Sequence, residues 1–222
     1  MNGFPWLTIA GAVPLLGAIV IMLVPGLPAD SAEADVRARQ GLVKYLALAF
    51  SLITLVVVII IAVKFQIGGP TFQFTETYSW IPAFGVHYAL GVDGIALVLI
   101  AMSAVLMPVV ILASWNDAES PVPPGGTTLQ PLPPAAAGPS RPAKPRHSVK
   151  TYFALMMTLE TMMIGVFAAT DVFLFYVFFE AMLIPMYFMI GSYGVGKRQY
   201  AAVKFLLYSL LGGLLMLVAV IA

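Results

Sequence analysis

Glu160, Glu180 and Lys204 each stand alone inside a long apolar run, and they are the residues whose placement points to chemistry. A charge at mid-bilayer costs roughly 3 kcal/mol even on lenient insertion scales, so such a group faces a protein interior or a water-filled path. One such residue is readily explained as half of a buried ion pair that locks helices together. Three on successive spans favour a path for protons. Counting about 1.5 Å per helical residue from the basic ends of the spans puts Lys204 at ~7 Å, Glu160 at ~12 Å and Glu180 at ~16 Å. Steps of that size can each be bridged by one water or one polar side chain.

The neighbours of these residues repeat at helical spacing. Tyr200, Lys204 and Tyr208 follow one another at intervals of four, and Tyr176, Glu180 and Tyr187 share a side of their own span. Tyrosines so placed are equally consistent with packing. The ring of Pro185 removes the backbone bond to Ala181, next to Glu180, and frees that carbonyl to hold water or a cation; a tolerated membrane-helix proline is the plain alternative. A positive charge moving toward or away from Glu180 would unload or load its proton, and the two groups would titrate as a coupled pair. Such a pump element needs no cofactor. Asp171, at the start of the fifth span, reads first as a cap on a helix N-terminus and second as a proton exit group.

Composition removes most other chemistry. Cysteine is absent, which excludes disulfides, thiolate zinc sites, Cys-ligated iron–sulfur clusters and thiol nucleophiles. The two histidines, His87 and His147, both lie outside the apolar runs, so a membrane haem held by paired histidines is not expected. A net charge of +1 argues against nucleic acid as a partner. Gly191–Lys197 fits the GxxxxGK part of a phosphate-binding loop, but Arg198 stands where Ser or Thr must hold magnesium, and no strand precedes it. A tight turn between two helices with flanking positive charge explains it.

The elements that position these residues follow from apolarity. Hydrophobic residues make up 61% of the 222 and charged residues 9%, against about 45–50% and about 25% in soluble domains. No interior of that size hides so much apolar surface, so the solvent is lipid. Six stretches suffice to cross a hydrocarbon layer of ~30 Å: Phe4–Val24, Tyr45–Val63, Ile95–Ser114, Tyr152–Thr170, Val172–Tyr193 and Tyr200–Ala222. The runs are continuous rather than alternating, which selects helices over barrel strands. The expected fold is therefore an all-α integral membrane protein with six transmembrane helices.

Lys and Arg alternate between loops. Arg37, Arg39 and Lys44 follow the first span, Arg141, Lys144, Arg146 and Lys150 the third, and Lys197 and Arg198 the fifth, while the intervening loops hold only Lys64. That bias puts those three loops in the cytoplasm and the N-terminus outside. The uncharged stretch Met1–Ala29 lacks the basic start of a secretory signal, so it reads as a retained first span. Nine of the seventeen prolines fall between Asp117 and Lys150, which marks residues 115–151 as an extended cytoplasmic linker between a three-helix segment, 1–114, and a second unit, 152–222. Pro131 to Pro134 also gives a PxxP spacing, a cheap motif in any proline-rich tract. The loop Gln66–Gly91, with Phe72, Phe74, Tyr78, Trp80 and Phe84, reads as a lid on the membrane surface or against a partner, without chemistry of its own.

The stretch DVFLFYVFFEAMLIPMYFMIGSYGVGKRQYAAVKFLLYSLLGGLLML, together with YALGVDGIALVL at Tyr88–Leu99, resembles the subunit M family of bacterial NADH:quinone oxidoreductase, the antiporter-like membrane subunits of respiratory complex I. The resemblance covers most of the chain except the proline-rich segment. It implies the start of a fourteen-helix inverted-repeat fold, with Glu180 at the family's essential glutamate, Lys204 at its span-six lysine, and Glu160 and Asp171 at acidic positions of bacterial members. It further implies a multi-pass subunit in a bacterial cell membrane, partnered by lipid and by the other membrane-arm subunits. NADH, FMN, iron–sulfur clusters and quinone would belong to other subunits, and none to this chain, which would act as part of a translocase. The sequence stops at Ala222 inside an apolar run, so a fragment of a longer chain or a truncated gene is expected, with the span-seven lysine that pairs with Glu180 beyond it.

Overall fold

The computed structural model describes residues 4–25, 33–82, 85–115, 148–194 and 196–221. Six helices, α1 (Trp6–Leu23), α2 (Glu33–Lys64), α3 (Gly94–Ala113), α4 (Val149–Ala168), α5 (Val172–Tyr193) and α6 (Arg198–Ile221), carry the expected spans, and all six are long and apolar enough to cross a membrane. The proline-rich segment lies outside the described residues. The turn from α5 to α6 is a helix–helix connection, so the Gly191–Lys197 motif has no strand before it.

Two features depart from expectation. First, α2 begins at Glu33, twelve residues before the apolar run at Tyr45, so Arg39 and Lys44 lie on helix rather than in a loop. Lys44 is buried at 3% exposure, with its ammonium 5.4 Å from the Trp115 ring centroid. Helix formation there needs no lipid, because Arg, Lys, Gln and Ala are good helix formers.

Second, the aromatic loop is a β-hairpin, β1 (Gln73–Ile81) antiparallel to β2 (Val86–Val92), with Glu76 opposite Leu90 and Tyr78 opposite Tyr88. The signal was the alternation in QFTETYSWI, a run rich in the β-branched and aromatic residues that suit strands. The register shifts between Gln73 and Glu76, where Phe74 takes a left-handed φ of 54°. Phe84 lies outside the described residues.

The hairpin straps one end of the bundle. Glu76, only 6% exposed, accepts the Leu7 N–H at 2.8 Å and bonds the Thr8 N–H and hydroxyl, so it caps α1 from 69 residues away. Those N–H groups have no partner within the helix, and a carboxylate also suits the positive end of the helix dipole. The Tyr88 hydroxyl sits 3.2 Å from that of Thr8, and the Thr170 N–H donates to Ala89 O at 2.9 Å. At the opposite end, Lys150 donates to Met22 O and Val24 O at 3.3 and 3.2 Å, satisfying carbonyls at the end of α1.

Helix α4 packs on α1, α2, α3 and α5, most extensively on α1, and makes one core with the first three helices. That core has two apolar clusters at different depths. Along α2 the first ends at Ala47 and the second starts at Val58; along α4 they end at Met157 and resume at Ile164. Between them lie the buried polar residues Ser51 and Thr54 on α2 and Glu160 and Thr161 on α4. Glycines set the close approaches: a Cβ at Gly17 would meet the Phe50 ring at 2.8 Å, and one at Gly165 the Phe178 ring at 2.6 Å. Small residues at such crossings let membrane helices pack backbone to backbone.

Candidate functional site

The site residues lie on three consecutive helices. Glu160 sits in the middle of α4 with no exposed surface, and neither carboxylate oxygen has a hydrogen-bond partner among the described residues. The nearby hydroxyls are committed to their own helices: Ser51 donates to Leu48 O at 2.9 Å, Thr54 to Phe50 O at 3.0 Å and Thr161 to Met157 O at 3.3 Å. Among the described residues Glu160 has no hydrogen-bond partner and no ion pair is shown for it. The ion-pair lock considered for this residue therefore has no partner among the described residues.

Glu180 lies on α5 facing α6. Its Oε1 is buried without a hydrogen-bond partner among the described residues and rests against Gly213, at the place a side chain would otherwise fill. Tyr176, one turn earlier on α5, lies beside the same carboxylate and feels its charge. Pro185 is buried within α5, and its missing N–H leaves the Ala181 carbonyl without its usual helical partner.

Lys204 occupies the exposed side of α6, with its ammonium 6.0 Å from the Tyr200 ring centroid and 5.7 Å from that of Tyr208. Those distances suit cation–π attraction, worth ~0.5–1 kcal/mol at exposed sites. Both tyrosines are 67% exposed, so the lysine stands on an open face of the helix. Gly213, against which Glu180 rests, is nine residues further along α6, or roughly 13 Å. The expected depths were ~7 Å for Lys204 and ~16 Å for Glu180, with Glu160 between them. Register sets the observed separation: α5 presents Glu180 to the far half of α6.

Asp171 is the N-cap of α5. Its Oδ1 accepts from the N–H groups of Phe173 and Leu174 at 2.8 and 3.1 Å, and its Oδ2 from the His87 N–H of β2 at 3.0 Å. Burial pushes this carboxyl up, but the three N–H donors and the His87 charge outweigh it and hold the group below its ordinary value of 3.8. Among the described residues no cluster of three His, Cys, Asp or Glu side chains could hold a metal ion.

Two contributors escaped the sequence reading. Glu76 gave no signal beyond its place in an alternating strand. Gly213 was announced only by the Gly-Gly pair in LLGGLLML, an interruption that membrane helices use for close contact.

Residues 169–222, which hold Asp171, Glu180, Lys204 and Gly213, match the family described as NADH:quinone oxidoreductase/Mrp antiporter, TM. NADH-quinone oxidoreductase subunit M of Mycobacterium tuberculosis is 46% identical over 232 residues, covering 100% of this chain and 38% of the relative. The same subunit of Rhodobacter capsulatus is 35% identical over 216 residues, covering 97% and 35%. A chain of respiratory complex I from Thermus thermophilus superimposes with a TM-score of 0.68 at 23% identity, covering 97% of this chain and 35% of that one. An archaeal membrane-bound sulfane sulfur reductase gives 0.64 at 18%, covering 96% and 27%. These last two speak for the fold alone. The chain thus spans less than two fifths of the length of these relatives, and along its whole length it is similar to subunit M of NADH-quinone oxidoreductase.

Proposed function

We propose that this chain is the N-terminal part of a proton-translocating membrane-arm subunit of NADH:quinone oxidoreductase, in which Glu180 is the central proton carrier. The observation that supports it most is a carboxylate held in a membrane helix beside Tyr176, with Oε1 buried against Gly213 of α6. Glu160 is a second proton site in the core, Lys204 a cation on the side where further helices of the full subunit would pack, and Asp171 first of all the anchor of α5. An exit role for Asp171 is the weaker reading, since both its oxygens are engaged by backbone N–H groups.

In this proposal quinone reduction elsewhere drives the proton movement, and NADH, FMN, iron–sulfur clusters and quinone sit in other subunits. The chain lies in a bacterial cell membrane among lipid and the other membrane-arm subunits, with the hairpin and N-terminus outside, as the Lys/Arg bias indicates. A second reading follows from the family description, which also covers Mrp antiporters: the same residues would then exchange sodium for protons. Sodium-dependent transport would favour it.

The test is Glu180→Gln in the intact complex. Assembly on native gels is expected to survive while proton pumping in sealed vesicles and the coupled quinone reductase activity fall by roughly a hundredfold, the scale of losing a positioned acid–base group. Glu180→Asp is expected to retain part of both. Wild-type pumping by Glu180→Gln would leave Glu180 a structural residue.

A further inference from the structure

We infer that Gly213 is the positioning residue that seats the Glu180 carboxylate against α6. The inference rests on the reading of Glu180 as a proton carrier and adds to it the element that fixes where the proton is held.

Three glycines mark close helix contacts, and they differ in what they receive. Gly17 and Gly165 each accept a phenylalanine ring, from Phe50 and Phe178. Those are packing contacts near the root of each ring, on Cβ and Cγ of Phe50 and on Cγ of Phe178. The atom at Gly213 is instead the free end of a side chain that an added methyl would turn aside. Gly213 receives a carboxylate oxygen, with the Phe179 ring 3.7 Å off as the next neighbour. The neighbouring Gly212 is exposed, and a Cβ there would meet nothing within 4 Å. The pair therefore divides its roles: one glycine faces open space and the other makes the seat.

The α6 backbone at Gly213 bounds the Glu180 carboxylate on the side facing α6, and Tyr176 stands one turn earlier on the same helix as Glu180. A methyl group at 213 would occupy the position of Oε1 and turn the side chain away. Misplacing a reacting group by an ångström far from the bond being made costs on the order of a hundredfold. A proton-carrying carboxylate displaced toward lipid or toward Tyr176 suffers that loss with its chemistry intact.

Complementary lengths give the experiment. Gly213→Ala adds one carbon at the seat, and Glu180→Asp removes one from the incoming side chain, each about 1.5 Å. In the intact complex in sealed vesicles, Gly213→Ala is expected to lower proton pumping by roughly tenfold to a hundredfold and to displace its pH–rate profile, with assembly retained on native gels. Gly212→Ala is expected to pump as the wild type does. The double variant Gly213→Ala/Glu180→Asp is expected to pump several-fold faster than Gly213→Ala alone, because the shorter acid fits beneath the methyl. Equal pumping by Gly213→Ala and Gly212→Ala would overturn the seat, as would a double variant no better than Gly213→Ala. Should Gly213→Ala fail to assemble, Gly213→Ser with Glu180→Asp supplies the same comparison, and no rescue there counts against the inference. Either result is separable from the reading beneath it, which stands or falls with Glu180→Gln.

Discussion

The α1–α4 core and the α5–α6 pair enclose a membrane-embedded acid to different degrees. In the core, more than half of the α4 span is buried, 56%, and Glu160 is enclosed with neither oxygen partnered among the described residues. In the pair, 17% of the α5 span and 11% of the α6 span are buried among the described residues, and Glu180 rests with Oε1 against Gly213. Both acids thus keep a buried oxygen without a hydrogen-bond partner among the described residues; they differ in that Glu160 has no exposed surface and Glu180 sits where α5 meets α6. An unpartnered buried polar group costs about 1–3 kcal/mol, which a purely structural core would shed by mutation to an apolar residue. On the proposed function Glu160 is kept for the proton it can carry, and Glu180 is positioned where α5 meets α6.

That contrast breaks or sharpens on Glu160→Leu. Removing an unsatisfied carboxyl from a dry core is expected to raise the melting temperature of the solubilised complex by about 2–4 °C for a gain near 1 kcal/mol. On the proposed function proton pumping is expected to fall about tenfold, less than for Glu180→Gln, because a relay group off the proposed central carrier is partly replaceable by water. A stability gain with wild-type pumping would make Glu160 an incidental buried acid. A stability loss would mean that Glu160 has a partner in the assembled complex.

A smaller effect is expected on the open side. Lys204 stands roughly 13 Å along α6 from the seat of Glu180, so its charge acts on that carboxylate weakly through intervening protein. Lys204→Ala is expected to lower pumping about threefold, well short of Glu180→Gln, and Lys204→Arg to restore it by keeping the charge. A loss equal to that of Glu180→Gln would show that the two groups work as one unit despite their separation in the structure.

How much of this was legible beforehand depends on the signal each feature leaves. Spans show themselves because lipid forces some twenty apolar residues in a row, and α5 came out with the expected bounds, Val172–Tyr193. That Tyr176 lies beside Glu180 was legible for the same reason, since four residues return to the same helix face. Relations between helices were not. Nothing in the order of residues says that Glu180 meets Gly213 rather than Lys204, because that follows from the register at which α5 and α6 cross. Polar surroundings hid the hairpin, and Glu76 could not be foreseen as a cap for α1, a partner 69 residues earlier in the chain. The charge run after the first span misled for a related reason: helix propensity let α2 continue past the lipid-facing stretch through Lys44.

The smallest expected effect concerns Asp171, through which the strap reaches α5. This carboxylate caps α5 with one oxygen and holds β2 with the other, about 13 Å along the helix from Glu180. Asp171→Ala removes a helix cap, which costs about 1 kcal/mol, so the solubilised complex is expected to melt a few degrees lower. Pumping is expected to fall less than twofold, because the Leu90–Ala169 bridge and the Thr170–Ala89 bond still hold the hairpin to the start of α5. The pH dependence has a definite sign. With its folded value held below the ordinary 3.8, Asp171 contributes stability that is fully present above that value and is lost as pH falls through the folded one. The gap in melting temperature between wild type and Asp171→Ala is therefore expected to stay flat from about pH 5 to about pH 8 and to close only in stronger acid. Asp171→Asn, which can still accept the N–H bonds but carries no charge, is expected to fall between the two. A gap that instead opened or closed near neutral pH would mean that Asp171 titrates there, and the exit role would become the better account of this residue.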